Sequence, residues 1–182
     1  MKALIVIADK FEDSQLLVPL YWLQEEGVKV DIASNDKGLI IGARGHEIEV
    51  SKSIYDVRPD DYSALVLPGS RQQKAVPNRL LDMLHYFVKK DKIIAAMCEG
   101  LQILISAGIL KGRRAVWHES VLITELMHAG LLYEFRDIVV DGKIVTCRRS
   151  AGLPAFAKAL IGLIENEKWY YTMEDVLAPC MN

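Results

Sequence analysis

The sequence predicts an α/β fold with a mostly parallel sheet, and three observations lead there. Short apolar runs of strand length alternate with segments whose leucines repeat at helical spacing. The clearest run, Ile93 to Met97, reads as a buried strand that ends abruptly on Cys98-Glu99-Gly100 and gives way to a helix. No internal repeat, linker or low-complexity block interrupts the 182 residues, which read as one domain, 1–182, long enough to bury a full core.

Taken in order, Ala3–Ala8 is the first strand. Ser14–Glu26 follows as a helix with Leu16, Leu17, Leu20 and Leu23 on one face and Gly27 as its stop. Val28–Ala33 is the next strand. Gly38–Ile41 and His46–Val50 are short extended pieces around Gly42 and Gly45, a hairpin excursion. Ala64–Leu67 is a buried strand closed by Pro68-Gly69-Ser70. Asn78–Lys90 is a helix buried through Leu80, Leu81, Leu84 and Phe87, and it leads into the strand before Cys98. A shorter helix, about Leu122–Ala129, follows the extended segment Ala115-Val116-Trp117. Asp137–Val140 and Lys143–Cys147 flank Asp141-Gly142, a two-residue hairpin signal, and Ala155–Glu165 is the closing helix.

Composition narrows the function classes. Hydrophobic residues make up 51% and charged ones 25%, as in a soluble globular protein. The net charge of −2 points to neither nucleic acid nor an anionic membrane as partner. No apolar run reaches transmembrane length, and the N-terminal run stops at Asp9 without a small-residue cleavage site, so it reads as a strand and not a signal peptide. Three widely spaced cysteines, Cys98, Cys147 and Cys180, suit a reducing cytoplasm. The four histidines show no ligand spacing relative to them, so no metal site is expected. Phosphate-binding glycine motifs are absent, and no cofactor is expected.

Ligands of parallel α/β sheets bind beyond the carboxyl ends of the strands. The residues there are Asp9 to Glu12, Gly69-Ser70, Cys98-Glu99 and His118. Cys98 sits between a strand end and a helix start, a position that strains the backbone and projects the side chain clear of the sheet. Helix-start N–H groups favour a thiolate there, so Cys98 is expected to ionise more readily than a free thiol; a buried structural cysteine is the alternative. Glu12 is either an acid at the start of the first helix, where Asp13 or Ser14 is the cap, or a carboxyl beside the thiol that shares a proton with it. His118 is either a loop histidine or a partner of Cys98. Gly69 and Ser70 are either a plain turn or donors to a developing oxyanion. His46, His85 and His128 read as structural or solvated.

Phe11-Glu12-Asp13-Ser14, Ala64-Leu65-Val66-Leu67-Pro68-Gly69, Ala95-Ala96-Met97-Cys98-Glu99-Gly100 and Gln102-Ile103-Leu104-Ile105-Ser106-Ala107-Gly108 together resemble the DJ-1/PfpI superfamily. The likeness continues through Val140-Asp141-Gly142 to Thr146-Cys147-Arg148 and leaves out only a C-terminal extension, about 169–182. It implies a flavodoxin-like three-layer sandwich, a nucleophilic Cys98 at an elbow and an acid at Glu12. Arg148 resembles the family's arginine near the site.

Two departures matter. Peptidase members place a histidine directly after the cysteine, where this chain has Glu99. They also take a glutamate from the neighbouring subunit, at a position matched here by Lys74, with Arg71 nearby. The resemblance therefore favours the other branch, in which the cysteine works with the Glu12-like acid and a histidine matching His118. That branch implies a cofactor-independent glyoxalase or deglycase acting on small reactive dicarbonyls or glycated adducts. Backbone N–H groups of Gly69, Ser70 or Glu99 would hold the oxyanion, in a homodimer or larger assembly. A non-enzymatic redox-sensing or chaperone-like stress protein and a peptidase with an altered triad are the alternatives.

Overall fold

Strand β1 (Lys2–Val6) lies inside a seven-stranded sheet in a computed structural model that describes residues 1–70, 75–119 and 121–165. Around it run β2 (Lys29–Ser34) and β5 (Lys52–Ser53) on one side, and β6 (Ala64–Leu67), β7 (Ile93–Met97), β11 (Ile144–Cys147) and β10 (Ile138–Asp141) on the other. Every pairing is parallel except β10 with β11, which the Asp141-Gly142 turn joins as a hairpin, with Gly142 at φ 60°.

Continuous apolar strands of this kind must be covered on both faces, and their alternation shows which residue goes where. Leu4, Leu65, Leu67, Ile94 and Ala96 face a core shared with Leu84 and Phe87 of α2 (Asn78–Lys89) and Leu101 and Leu104 of α3 (Gly100–Ser106). Their neighbours Ile5, Val66, Ala95 and Met97 face the opposite core, built with Leu16 and Leu23 of α1 (Asp13–Glu25) and Phe156 and Leu160 of α5 (Leu153–Ile164). Phe87 and Phe156 are fully buried, one on each side, and each contributes about 1.5–3 kcal/mol of transfer free energy. The result is a three-layer α/β sandwich.

Helix faces differ in detail from the leucine spacing. On α1, Leu17 and Leu20 are only half-buried while Gln15 and Pro19 are buried in their place. On α2 the buried stripe takes Met83 and leaves Leu81 half-buried. Two smaller sheets lie outside the main one. β3 (Gly38–Ile41) and β4 (Glu47–Val50) form the expected hairpin. β8 (Arg114–Val116) pairs in parallel with β9 (Leu132–Glu134) across α4 (Ile123–Ala129), so the segment before His118 does not end a strand of the main sheet. Among the described residues no helix is long and apolar enough to cross a membrane. Arg71, Lys74, Cys180 and the extension from 169 to 182 lie outside the described residues.

Candidate active site

Cys98 is the first residue past β7, and its φ of 48° places it in the left-handed region that non-glycine residues avoid. Holding it there costs about 1–3 kcal/mol, offset by the packing around it. Its N–H donates to the Cys147 carbonyl at 2.9 Å, which fixes the turn to β11. Gly100 opens α3 directly against β6, where a Cβ would stand 2.5 Å from the Leu67 carbonyl oxygen. The elbow therefore depends on a glycine two residues after the cysteine.

The sulfur is held by two groups. Gln15 Nε2 donates to it at 3.0 Å, and the thiol itself reaches the Arg148 carbonyl at 3.4 Å. Burial pushes the Cys98 thiol up to about 12, with Cys147, Glu99 and Glu12 adding to the rise and the Gln15 hydrogen bond opposing it. This reverses the expectation of an easily ionised thiol. The dipole of the short helix α3 does not compensate for the burial of Cys98, only 6% exposed, with the charges of Glu99 and Glu12 acting on it.

The structure brings His118 to Cys98. Cys98 Sγ, a Glu99 carboxylate oxygen and a His118 ring nitrogen all lie within 4.8 Å of one another. Burial holds the His118 pKa below its ordinary value, Glu99 and Glu119 pull it back up, and Arg148 pushes it down. His118 is 8% exposed, so its ring is neutral and enclosed near pH 7. Glu99, adjacent to Cys98 in sequence, has its carboxylate against Gly69: a Cβ on Gly69 would stand 2.2 Å from Glu99 Oε2.

Of the three expected oxyanion donors, the Gly69 N–H is already engaged, donating to Gln15 Oε1 at 2.8 Å. The Ser70 hydroxyl donates to the Asp9 carbonyl at 2.7 Å, and Ser70 forms an isolated antiparallel bridge with Phe11, so this residue ties β6 to the β1–α1 loop. Glu99 N–H, by contrast, meets no acceptor among the described residues.

Glu12 stands at the N-cap of α1 but makes no side-chain capping bond. Its Oε1 lies 3.6 Å from Arg44 Nε, and it is close enough for its charge to act on Cys98. Asp13 is not a cap either. Its buried carboxylate accepts the N–H groups of Arg44 and His46 at 2.9 Å each, which anchors the β3–β4 loop. Arg148 stacks its guanidinium over Trp117, 4.8 Å from the ring centroid, and so flanks the segment that carries His118. His85 bonds the Ala107 carbonyl at 2.7 Å, a structural role.

Gln15 was not legible as a site residue. The only available signal was a polar residue among the leucines of an amphipathic helix, one position before Leu16.

Comparison with known proteins agrees with this architecture. A solved ThiJ/PfpI domain protein from Brachyspira murdochii superposes with a TM-score of 0.85 at 21% identity, over 91% of this chain and 96% of that one. Deglycase PfpI of Pyrococcus furiosus is 36% identical over 167 residues, 91% of this chain and 100% of that protein. YraA of Bacillus subtilis, whose name assigns it provisionally to the cysteine proteases, is 30% identical over 167 residues, 90% of this chain and 98% of its own. The family model described as the DJ-1/PfpI family matches residues 1–163, and the chain belongs to that family.

Proposed function

We propose that this protein is a cysteine-dependent deglycase of the glyoxalase type, acting on small reactive dicarbonyls or their adducts with amines. The observation that carries this reading is the meeting of Cys98, Glu99 and His118 within 4.8 Å inside one chain.

Because the thiol is protonated at rest, its proton must leave as the sulfur attacks. The enclosed neutral His118 is the acceptor, and Glu99 beside it steadies the imidazolium that forms. Attack on the aldehyde carbon of a 2-oxoaldehyde forms the C–S bond of a hemithioacetal, and the Glu99 N–H faces the developing oxyanion. Glu12 then moves a proton from that carbon to its neighbour, which oxidises the first carbon and reduces the second. Water cleaves the resulting thioester, releasing a 2-hydroxy acid and restoring the thiol. Water is the only co-reactant.

The relative named a deglycase supports this class of reaction. The relative named for proteolysis keeps a peptidase in view, yet here the acid near the histidine comes from the same chain and follows the cysteine. A redox-sensing role has less support, since oxidation follows thiolate character and exposure and Cys98 has neither. The reading includes self-association, at least as a dimer. Exposed Leu122, Met127, Leu132 and Phe135 on the β8–α4–β9 excursion supply apolar surface for it.

The test is multiple-turnover consumption of methylglyoxal with lactate as product, run beside a casein proteolysis assay. Lactate formation lost in Cys98→Ser supports the reading. Cys98-dependent proteolysis without lactate overturns it, and sedimentation as a monomer removes self-association.

A further inference from the structure

The three groups that converge on the nucleophile are also a ligand set. We propose that Cys98 Sγ, the Glu99 carboxylate and His118 form a binding site for a borderline-soft divalent cation, zinc above all, whose occupation silences the thiol. The inference does not depend on which substrate the cysteine attacks.

Zinc takes sulfur, imidazole nitrogen and carboxylate oxygen at about 2.0–2.3 Å, so tetrahedral ligands stand roughly 3.3–3.8 Å apart. The three donor atoms already lie within 4.8 Å of one another, about an ångström beyond that span. A mixed sulfur, nitrogen and oxygen set selects zinc over magnesium or calcium, which require all-oxygen surroundings. Three protein ligands leave a fourth position for water.

The surroundings also suit a cation. Glu12 and Glu99 act on Cys98, and Glu119 acts on His118, against the positive charge of Arg148. Gln15 Nε2 keeps its hydrogen bond to the sulfur as an outer-shell partner. A cation relieves the costly burial of a thiol beside carboxylates, and the thiol proton leaves to solvent as the metal–sulfur bond forms. Once metal holds the sulfur lone pair, the nucleophile is blocked. Sequence spacing argued against any metal site, because the fold alone brings His118 to Cys98 across twenty residues.

The experiment titrates the purified full chain with Cd2+, reading the ultraviolet thiolate-to-metal charge-transfer band, and with Zn2+, reading protection of Cys98 from iodoacetamide by mass spectrometry. We expect one equivalent bound, a band lost in Cys98→Ser and unchanged in Cys147→Ser and Cys180→Ser. Glu99→Gln and His118→Ala should each weaken binding by at least about 100-fold, the upper end of what losing an outer-shell partner costs. Unaltered affinity in both variants would reduce the site to a lone thiol and overturn the proposal. So would protection confined to Cys147 or Cys180, or no binding at excess metal. The wild-type protection assay stands even where a variant fails to fold.

Discussion

Gln15 and Cys98, 83 residues apart in sequence, are joined by a 3.0 Å hydrogen bond from the side-chain amide to the sulfur. The same amide accepts the Gly69 N–H at 2.8 Å, so one buried side chain links α1, the end of β6 and Cys98. Gln15→Leu should destabilise the fold by about 1–3 kcal/mol, because the Gly69 N–H loses its acceptor. It should also raise the thiol pKa further and slow alkylation of Cys98. Urea unfolding and iodoacetamide kinetics measure the two effects separately, and unchanged alkylation would remove Gln15 from the control of the sulfur.

The two glycines that shape the elbow should respond differently to alanine. At Gly100 the new Cβ meets the Leu67 carbonyl, which is backbone and cannot retreat; at Gly69 the severe contact is with the end of the Glu99 side chain, which can swing away, and the Glu99 backbone nitrogen at 3.2 Å is a milder one. Gly100→Ala should therefore destabilise by about 1–3 kcal/mol. Gly69→Ala should keep most of its stability and lose turnover, because Glu99 is displaced from His118. Melting curves and steady-state rates on both variants test the contrast, which fails if Gly69→Ala retains full turnover.

The conformation of Cys98 makes a prediction against ordinary propensity. Glycine normally weakens a folded position relative to alanine, but at φ 48° the order should reverse. Cys98→Gly should exceed Cys98→Ala in stability by about 1 kcal/mol, both variants being inactive. Equal midpoints in denaturant would mean that the elbow carries no backbone strain.

The pH dependence follows from the raised thiols. Cys98 and Cys147 are both pushed up to about 12, largely by burial, from ordinary values near 9. The folded protein thus binds more protons than the unfolded chain between those limits. Stability is complete below about pH 9 and falls as pH rises toward 12, by up to ~1.4 kcal/mol per pH unit for each thiol. Cys147→Ser should flatten part of that slope. His118 acts in the other range: its folded pKa lies below its ordinary 6.5, so turnover should rise from acid pH and level off before neutrality. In Glu99→Gln, alkylation at fixed pH should quicken because a negative charge leaves the sulfur, while turnover falls. A parallel change in both rates would contradict the separate roles.

Local pattern carried far in this chain. Ala64–Leu67 is bounded as the sequence suggests, and the Asp141-Gly142 hairpin and the glycine stop after α1 follow from turn chemistry alone. The strand β9 was not legible, because three residues, Leu132–Glu134, are too few for periodicity and owe their conformation to β8. The elbow at Cys98 was legible from its place between strand and helix. The thiol's ionisation was not, because burial and neighbouring charges come from distant segments. Asp13 misled for a related reason: its position invites capping, but its partners, Arg44 and His46, lie 31 and 33 residues away. Gly69 looked available as a donor only because Gln15 was invisible to any local rule.

The Asp13 anchor gives the chain a mechanical linkage. Asp13 fixes the backbone of Arg44, and the side chain of that same Arg44 extends to Glu12, the neighbour of Asp13. Two adjacent acids thus grip one residue of a surface loop, one by its main chain and the other by its charge. Changing the length or register of the β3–β4 loop would shift Arg44 as a crank shifts its pin, altering the field at Glu12 while the elbow stays unmoved. The loop thereby sets where the Arg44 charge stands relative to Glu12, an adjustment that sequence drift can make without touching Cys98.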